Sequence, residues 1–165
     1  MAITVERIGP DDWSLLRELR LAALRDAPEA FGQRYEAAAS QEDDEWRQQA
    51  RAASRGDSRA WFICRDDARA VGLVMGRRRP PDDCLLFSMW VSPQARRGGA
   101  GTALVTAVED WARKWRGNRI VLWVIAGNEA AMRFYHRLGF KLLVGGPDAE
   151  SGHAYGAIAM ERLIS

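Results

Sequence analysis

A mixed α/β fold, with a central sheet of about seven strands and about four flanking helices, is predicted by three features of the chain. Short apolar runs alternate with turn residues through residues 60–91, which reads as an antiparallel meander. The apolar runs at 84–91 and 120–125 are separated by a segment with helical spacing at Leu104, Val108, Trp111 and Trp115. A strand, a helix and a second strand imply a parallel pairing through a right-handed crossover. No linker, repeat or low-complexity tract interrupts the chain, so residues 1–165 read as one domain.

The alternation of Ile3 and Val5 predicts a first strand over 2–8, ended by Gly9-Pro10. Asp11 is placed to cap a helix whose apolar stripe is Trp13, Leu16, Leu19, Ala23 and Leu24. Pro28 stops it, because the residue before a proline is driven out of helical geometry. Residues 29–39 read as a connector with two aromatics, Phe31 and Tyr35, and the carboxylate of Glu36. Ser40-Gln41-Glu42-Asp43 resembles a capping box opening a second helix through Trp46, Ala50 and Ala53.

Strands are expected at 60–64 and 70–75, then a polar connection at 77–83 and a strand at 84–91. A helix over 102–115 precedes the 120–125 strand, and Asn128 caps the next helix, which Gly139 ends. Residues 140–143 return as a strand, 145–152 read as a flexible glycine-rich loop, and 153–163 as the last strand.

Composition narrows the function classes. Apolar residues are 47% and charged residues 28%, which fits a packed domain and neither disorder nor a membrane protein. The formal net charge of +2, with acids interspersed among the bases, argues against a nucleic-acid partner. All but two of the 24 basic residues are arginine, the exceptions being Lys114 and Lys141. Cys64, Cys84, His136 and His153 are scattered, so no metal site is expected and the thiols read as buried. With no signal-peptide pattern and no apolar stretch of membrane length, a cytoplasmic location is the expectation.

The chemistry concentrates in Val91-Ser92-Pro93-Gln94-Ala95-Arg96-Arg97-Gly98-Gly99-Ala100-Gly101-Thr102, between a strand and a helix. Free N–H groups and the helix dipole make such a junction an anion cradle. It lacks the Gly-Lys-Ser/Thr of a Walker A loop and the third glycine of a dinucleotide fingerprint. What remains, Arg96-x-x-Gly99-x-Gly101, resembles the pyrophosphate loop of the GNAT superfamily of acetyl-CoA-dependent N-acetyltransferases. A second segment, Asn128-x-x-Ala131-x-x-Phe134-Tyr135-x-x-x-Gly139-Phe140, resembles the other CoA-binding motif of that superfamily, in the right order. The resemblance is strong from Met89 to Phe140 and general elsewhere.

That resemblance implies a GNAT fold whose central strands splay around acetyl-CoA, with a bulge near Trp90 at the mouth of the site. It assigns cofactor contacts to Met89, Trp90, Val91, Arg96, Arg97, Gly98, Gly99, Ala100, Gly101, Thr102, Asn128 and Tyr135. It makes Tyr135 the acid for the leaving thiolate, and Phe31, Tyr35, Glu36 and Trp90 the acceptor contacts. The strand before the loop offers Ser88, Met89 and Trp90 and no carboxylate, so the base falls to Glu36 or to an ordered water. The expected reaction is acetylation of a primary amine of a small molecule by direct attack in a ternary complex. A protein N-terminus or lysine as acceptor, and a non-catalytic acyl-CoA sensor, are the alternatives. A homodimer is compatible with the sequence.

Overall fold

The computed structural model describes residues 2–165. One sheet holds seven strands in the order β1-β2-β3-β4-β5-β7-β6. They are β1 (Ile3–Arg7), β2 (Arg59–Asp66), β3 (Arg69–Arg79), β4 (Asp83–Val91), β5 (Arg119–Ile125), β6 (Lys141–Leu142) and β7 (Ala157–Leu163). All neighbouring pairs are antiparallel except β4 and β5, which run parallel. The polar segment expected to be a connection, Arg77 to Arg79, continues β3 and pairs with Leu85, Cys84 and Asp83.

Among the described residues six α-helices cover the sheet, α1 (Trp13–Asp26), α2 (Tyr35–Ala39), α3 (Asp43–Ala53), α4 (Ala100–Lys114), α5 (Glu129–Arg137) and α6 (Gly146–Ala154), with 3-10 turns at Pro28–Ala30 and Pro93–Ala95. The two beyond expectation are α2 and α6, both in segments read as loops. The buried stripe of α1 is Leu16, Leu19, Ala23 and Leu24, as the spacing dictates, and the helix stops before Pro28. The cap is Asp12 rather than Asp11, and its carboxylate accepts from the backbone N–H of Gly9 at 2.8 Å. No capping box forms at Ser40, which ends α2 and donates to the Ala37 carbonyl; Glu42 precedes α3 without a side-chain cap.

The sheet separates two cores. One packs β-strand residues such as Val74, Leu86 and Leu122 against Leu104, Val108 and Trp111 of α4 and Tyr135 of α5. The other packs Ile63, Leu73 and Trp90 against Leu16 and Leu24 of α1 and Trp46 of α3. Leu86 and Trp90 lie on opposite faces although strict alternation would put them on one. The cause is a bulge. Met75 pairs with Phe87 but Leu73 pairs with Trp90, and Ser88 takes a left-handed φ of 57°. One extra residue flips every later side chain to the other face. Cys64 and Cys84 are buried and free.

The parallel pair β4–β5 is joined only at Asp83↔Arg119, Cys84↔Ile120 and Leu85↔Val121. Beyond Leu85 and Val121 the strands separate, each still paired on its outer side with β3 or β7. The splay expected from the resemblance is present, and it opens the site.

Candidate active site

A cleft of about 980 Å³ runs along the separation, lined by Leu85 to Met89 of β4 and Leu122 to Ile125 of β5. On the α5 side its wall is Asn128, Ala131 and Tyr135. Asn128 and Tyr135 lie two turns apart on one helix and so share the face turned to the cleft. Asn128 caps that helix, its Oδ1 accepting from the N–H of Ala131 at 3.2 Å. Tyr135 is 7% exposed and is held edge-on by Phe134 and Phe140, with centroids at 5.1 Å and 5.6 Å. Burial pushes its phenol well above the ordinary tyrosine range, so it stays protonated at neutral pH.

The opposite wall comes from the 28–33 segment, from Met75, Arg77 and Arg79 of β3, and from α6. Phe87 and Trp123 stack across the gap at 5.9 Å, and the Arg77 guanidinium sits 5.2 Å above Phe87. Trp123 donates from Nε1 to the Asp148 carbonyl, which fixes α6 to β5. The Asp148 carboxylate receives Arg79 at 2.8 and 3.0 Å, and Arg79 also donates to Asp83. Arg119 closes the group, bonding Asp83 and Glu161 at 2.8 Å each. Hydrogen bonds from Arg79 hold the Asp148 carboxyl below the usual carboxylate range, and those from Arg119 do the same for Asp83. This network sits where β4 and β5 are still paired, at the closed end of the splay.

The glycine loop enters α4 through Gly99, whose φ of +91° is strained for any residue with a Cβ. No side chain caps α4, so its first N–H groups keep their capacity for an anion. Arg97, at φ 69°, makes the other left-handed turn of the loop. The segment from Arg97 to Thr102 therefore fits a pyrophosphate. Gly101 has a different reason to be glycine: a Cβ there would lie 3.0 Å from the Phe134 ring. It lets α5 pack against α4.

Comparison with known proteins now decides the family. The Acetyltransferase (GNAT) family profile matches residues 17–140. The chain belongs to the GNAT acetyltransferase family. An uncharacterised N-acetyltransferase of Methanocaldococcus jannaschii is 35% identical over 92 residues, 52% of this chain and 40% of the relative. A mycothiol acetyltransferase of Salinispora arenicola is 43% identical over 56 residues, 33% of this chain and 18% of the relative. The chain spans about half the length, or less, of the curated relatives it matches. Among solved structures, a GNAT-family acetyltransferase of Streptococcus pneumoniae superposes with a TM-score of 0.78 at 17% identity, covering 99% and 100% of the two chains. The PaiA N-acetyltransferase of Thermoplasma acidophilum, solved with coenzyme A, superposes with a TM-score of 0.73 at 15% identity and 99% coverage of both. These likenesses show the fold.

Within this GNAT chain the residues singled out from the sequence fall into two groups. Phe31, Met89, Asn128 and Tyr135 line the cleft, and the loop from Arg97 to Thr102 leads into α4. Five others are engaged elsewhere, Val91 among them, which pairs with Gly72 of β3 and gives its carbonyl to Arg96. Trp90 is turned by the bulge into the α1 core, where Nε1 donates to Asp26 at 3.0 Å. Arg96 is tied down by the same Asp26 carboxylate at 2.6 Å and by the Val91 carbonyl, so it braces the base of the loop. Tyr35 packs on the α1 side, its hydroxyl accepting from Arg25. Glu36 stands in solvent on α2, 77% exposed, 3.9 Å from Arg34 and outside the cleft lining.

The sequence reading did not place Arg20, Glu29 or Asp148 at the site and set Arg77 and Arg79 in an exposed basic connection; all five line the cleft. Arg20 had a readable signal, since it follows Leu16 and Leu19 on the apolar stripe of α1. Among the described residues no helix is long and apolar enough to cross a membrane.

Proposed function

We propose that this protein is an N-acetyltransferase that moves an acetyl group from acetyl-CoA to a primary amine of a small molecule by direct attack in a ternary complex. The observation that carries this reading is the splayed pair β4–β5 with a neutral, buried tyrosine on one wall. Strands that part leave backbone donors and acceptors free, and the amides of a pantetheine arm can pair with them as an added strand would. Asn128 stands beside that path, and the uncapped start of α4 receives the pyrophosphate.

A backbone N–H near Val91, just after the bulge, would stabilise the acyl oxygen as it gains charge. The attacking nitrogen forms its bond to the acyl carbon as the carbon–sulfur bond breaks, and Tyr135 gives its phenolic proton to the departing sulfur. The amine must lose a proton. Glu29 and Asp148 are the carboxylates on the cleft wall, and Asp148 is held by Arg79 and Arg119. Among the described residues Glu29 has no ion pair of this kind, and it takes the proton, directly or through a water. The role that the sequence suggested for Glu36 passes to Glu29.

Thiol release from acetyl-CoA, followed against a panel of small amines and peptides, tests the reading. Turnover on small amines is expected. Glu29→Gln should lower kcat/KM for the amine by about 10²-fold or more while leaving acetyl-CoA affinity unchanged. Binding of acetyl-CoA without transfer to any acceptor would return the protein to the sensor class.

A further inference from the structure

The acceptor end of the cleft contains a buried cation that the protein does not neutralise. Arg20, on α1, is only 8% exposed and lines the cleft. Its guanidinium lies 4.9 Å above the Phe31 ring. Nη2 donates to the neutral Gln33 Oε1 at 3.3 Å, while Nη1 is buried without a hydrogen-bond partner among the described residues. Burial alone drags its pKa down to about 10, with no carboxylate to oppose the shift. Guanidinium groups are almost never left buried and unpaired, since the lost hydration is recovered only through a charged or well-bonded partner.

The surroundings select the sign and shape of the missing partner. Arg77 lines the same cleft and stacks on Phe87 without an acidic partner among the described residues, whereas Arg79 is occupied by Asp83 and Asp148. Glu29, on the 28–33 segment, lines the same cleft and brings a negative charge to it. The lining thus holds a buried guanidinium with an unpartnered Nη1 and, besides the arginine-paired Asp148, one further carboxylate, Glu29. A fork matches a carboxylate in two parallel hydrogen bonds.

We propose that the acceptor is an amine that also carries a carboxylate, an amino-acid-like zwitterion, with its carboxylate received by Arg20 and its amino group turned toward Glu29. The proposal rests on the acetyl-transfer reading and names the substrate class for that site. Phe31, stacked on Arg20, places the 28–33 segment over the bound carboxylate. Arg20 acts on binding, so its loss should appear in KM for the acceptor.

The test uses matched acceptors: amino acids, their carboxamides, the corresponding decarboxylated amines, and aminoalkyl phosphates of similar length. The wild type should favour the amino acids over the amides and plain amines by about tenfold to a hundredfold in kcat/KM, the range of a hydrogen-bonded charge. Arg20→Met should erase that preference by raising KM for the amino acids, with the KM for acetyl-CoA unchanged. Calorimetry on the CoA-loaded protein, with an N-acetyl amino acid and its amide as probes, reads the same site without turnover. A wild type that treats acid and amide alike, or an Arg20→Met variant that keeps the preference, overturns the proposal. Aminoalkyl phosphates outcompeting the amino acids would overturn the carboxylate assignment. Arg20-dependent binding of the N-acetyl amino acid without transfer to any amine would uphold the anion site and sink the transferase reading. If Arg20→Met fails to fold, Arg20→Lys, which keeps the charge and loses the fork, together with the wild-type comparison decides the matter.

Discussion

Tyr135 has two properties that a sequence motif alone could not supply: it is buried, and burial raises its pKa without help from any hydrogen bond. A raised pKa keeps the proton on the oxygen, so the donor form persists through the pH range in which an exposed tyrosine would ionise. Tyr135→Phe is expected to lower kcat by about 10²–10⁴-fold with little change in acetyl-CoA affinity, measured by single-turnover kinetics and calorimetry. In the wild type, no alkaline fall in rate from this group is expected near the ordinary tyrosine pKa of about 10. A rate that halves there would show that the acid lies elsewhere. Tyr135 was singled out through the family motif, and its helical-repeat spacing from Asn128 put the two on one face. Glu29 was not, because a carboxylate on a 3-10 turn carries no periodicity to announce which way it points. Trp90 misled for a related reason: alternation is reliable only until a bulge, and the left-handed Ser88 has no sequence signature of its own.

At the scale of elements, α6 is the clearest difference from expectation. Its glycines suggested a flexible loop, yet each has a packing or turn function. Gly145 and Gly146 have φ of +79° and +86°, and Pro147 sits in the first turn of the helix, where its missing N–H costs nothing. A Cβ on Gly152 would lie 2.8 Å from the Ala157 carbonyl and 3.0 Å from the Trp123 ring. With only Ala149 and Gly152 buried, the helix has no apolar stripe to read. It is held instead by polar contacts, with Asp148 at their centre. The Asp148 carboxyl is depressed in the fold, chiefly by its hydrogen bonds from Arg79, so its contribution is present above the unfolded value of about 3.9 and is lost as pH falls through the folded one. Acid titration below about pH 4 should therefore release α6 before the sheet melts, read as a change in Trp123 fluorescence. Asp148→Asn should show that released signal already at neutral pH; an unchanged profile would place the anchor elsewhere. Gly101 gives a second test. Gly101→Val should destabilise the protein by about 1–3 kcal/mol through the α4–α5 contact, seen as a lower urea midpoint. An unaltered midpoint with weakened CoA binding would assign that glycine to the ligand.

For the molecule as a whole, the seven strands and the crossover followed from local signals that agreed with one another, whereas the splay was expected from the family resemblance alone. The charge network at the closed end was invisible because it joins Arg79, Asp83, Arg119, Asp148 and Glu161 from five separate segments. The splay has a further effect, on how the empty protein behaves as a colloid. By parting after Leu85 and Val121, β4 and β5 give the middle of the sheet two unpaired edges, in addition to the outer ones at β1 and β6. Such edges are templates for strand addition between molecules, and rows of Leu122, Trp123 and Val124 or Leu86 and Phe87 would favour it. Their recessed position between α5 and the 28–33 segment shields them in the native state. On heating, loosening of either wall should expose them before the rest of the sheet unpairs. Saturating acetyl-CoA should then delay the rise in light scattering by more degrees than it delays loss of the far-ultraviolet helix signal. Equal delays in the two signals would mean that aggregation begins from the globally unfolded chain.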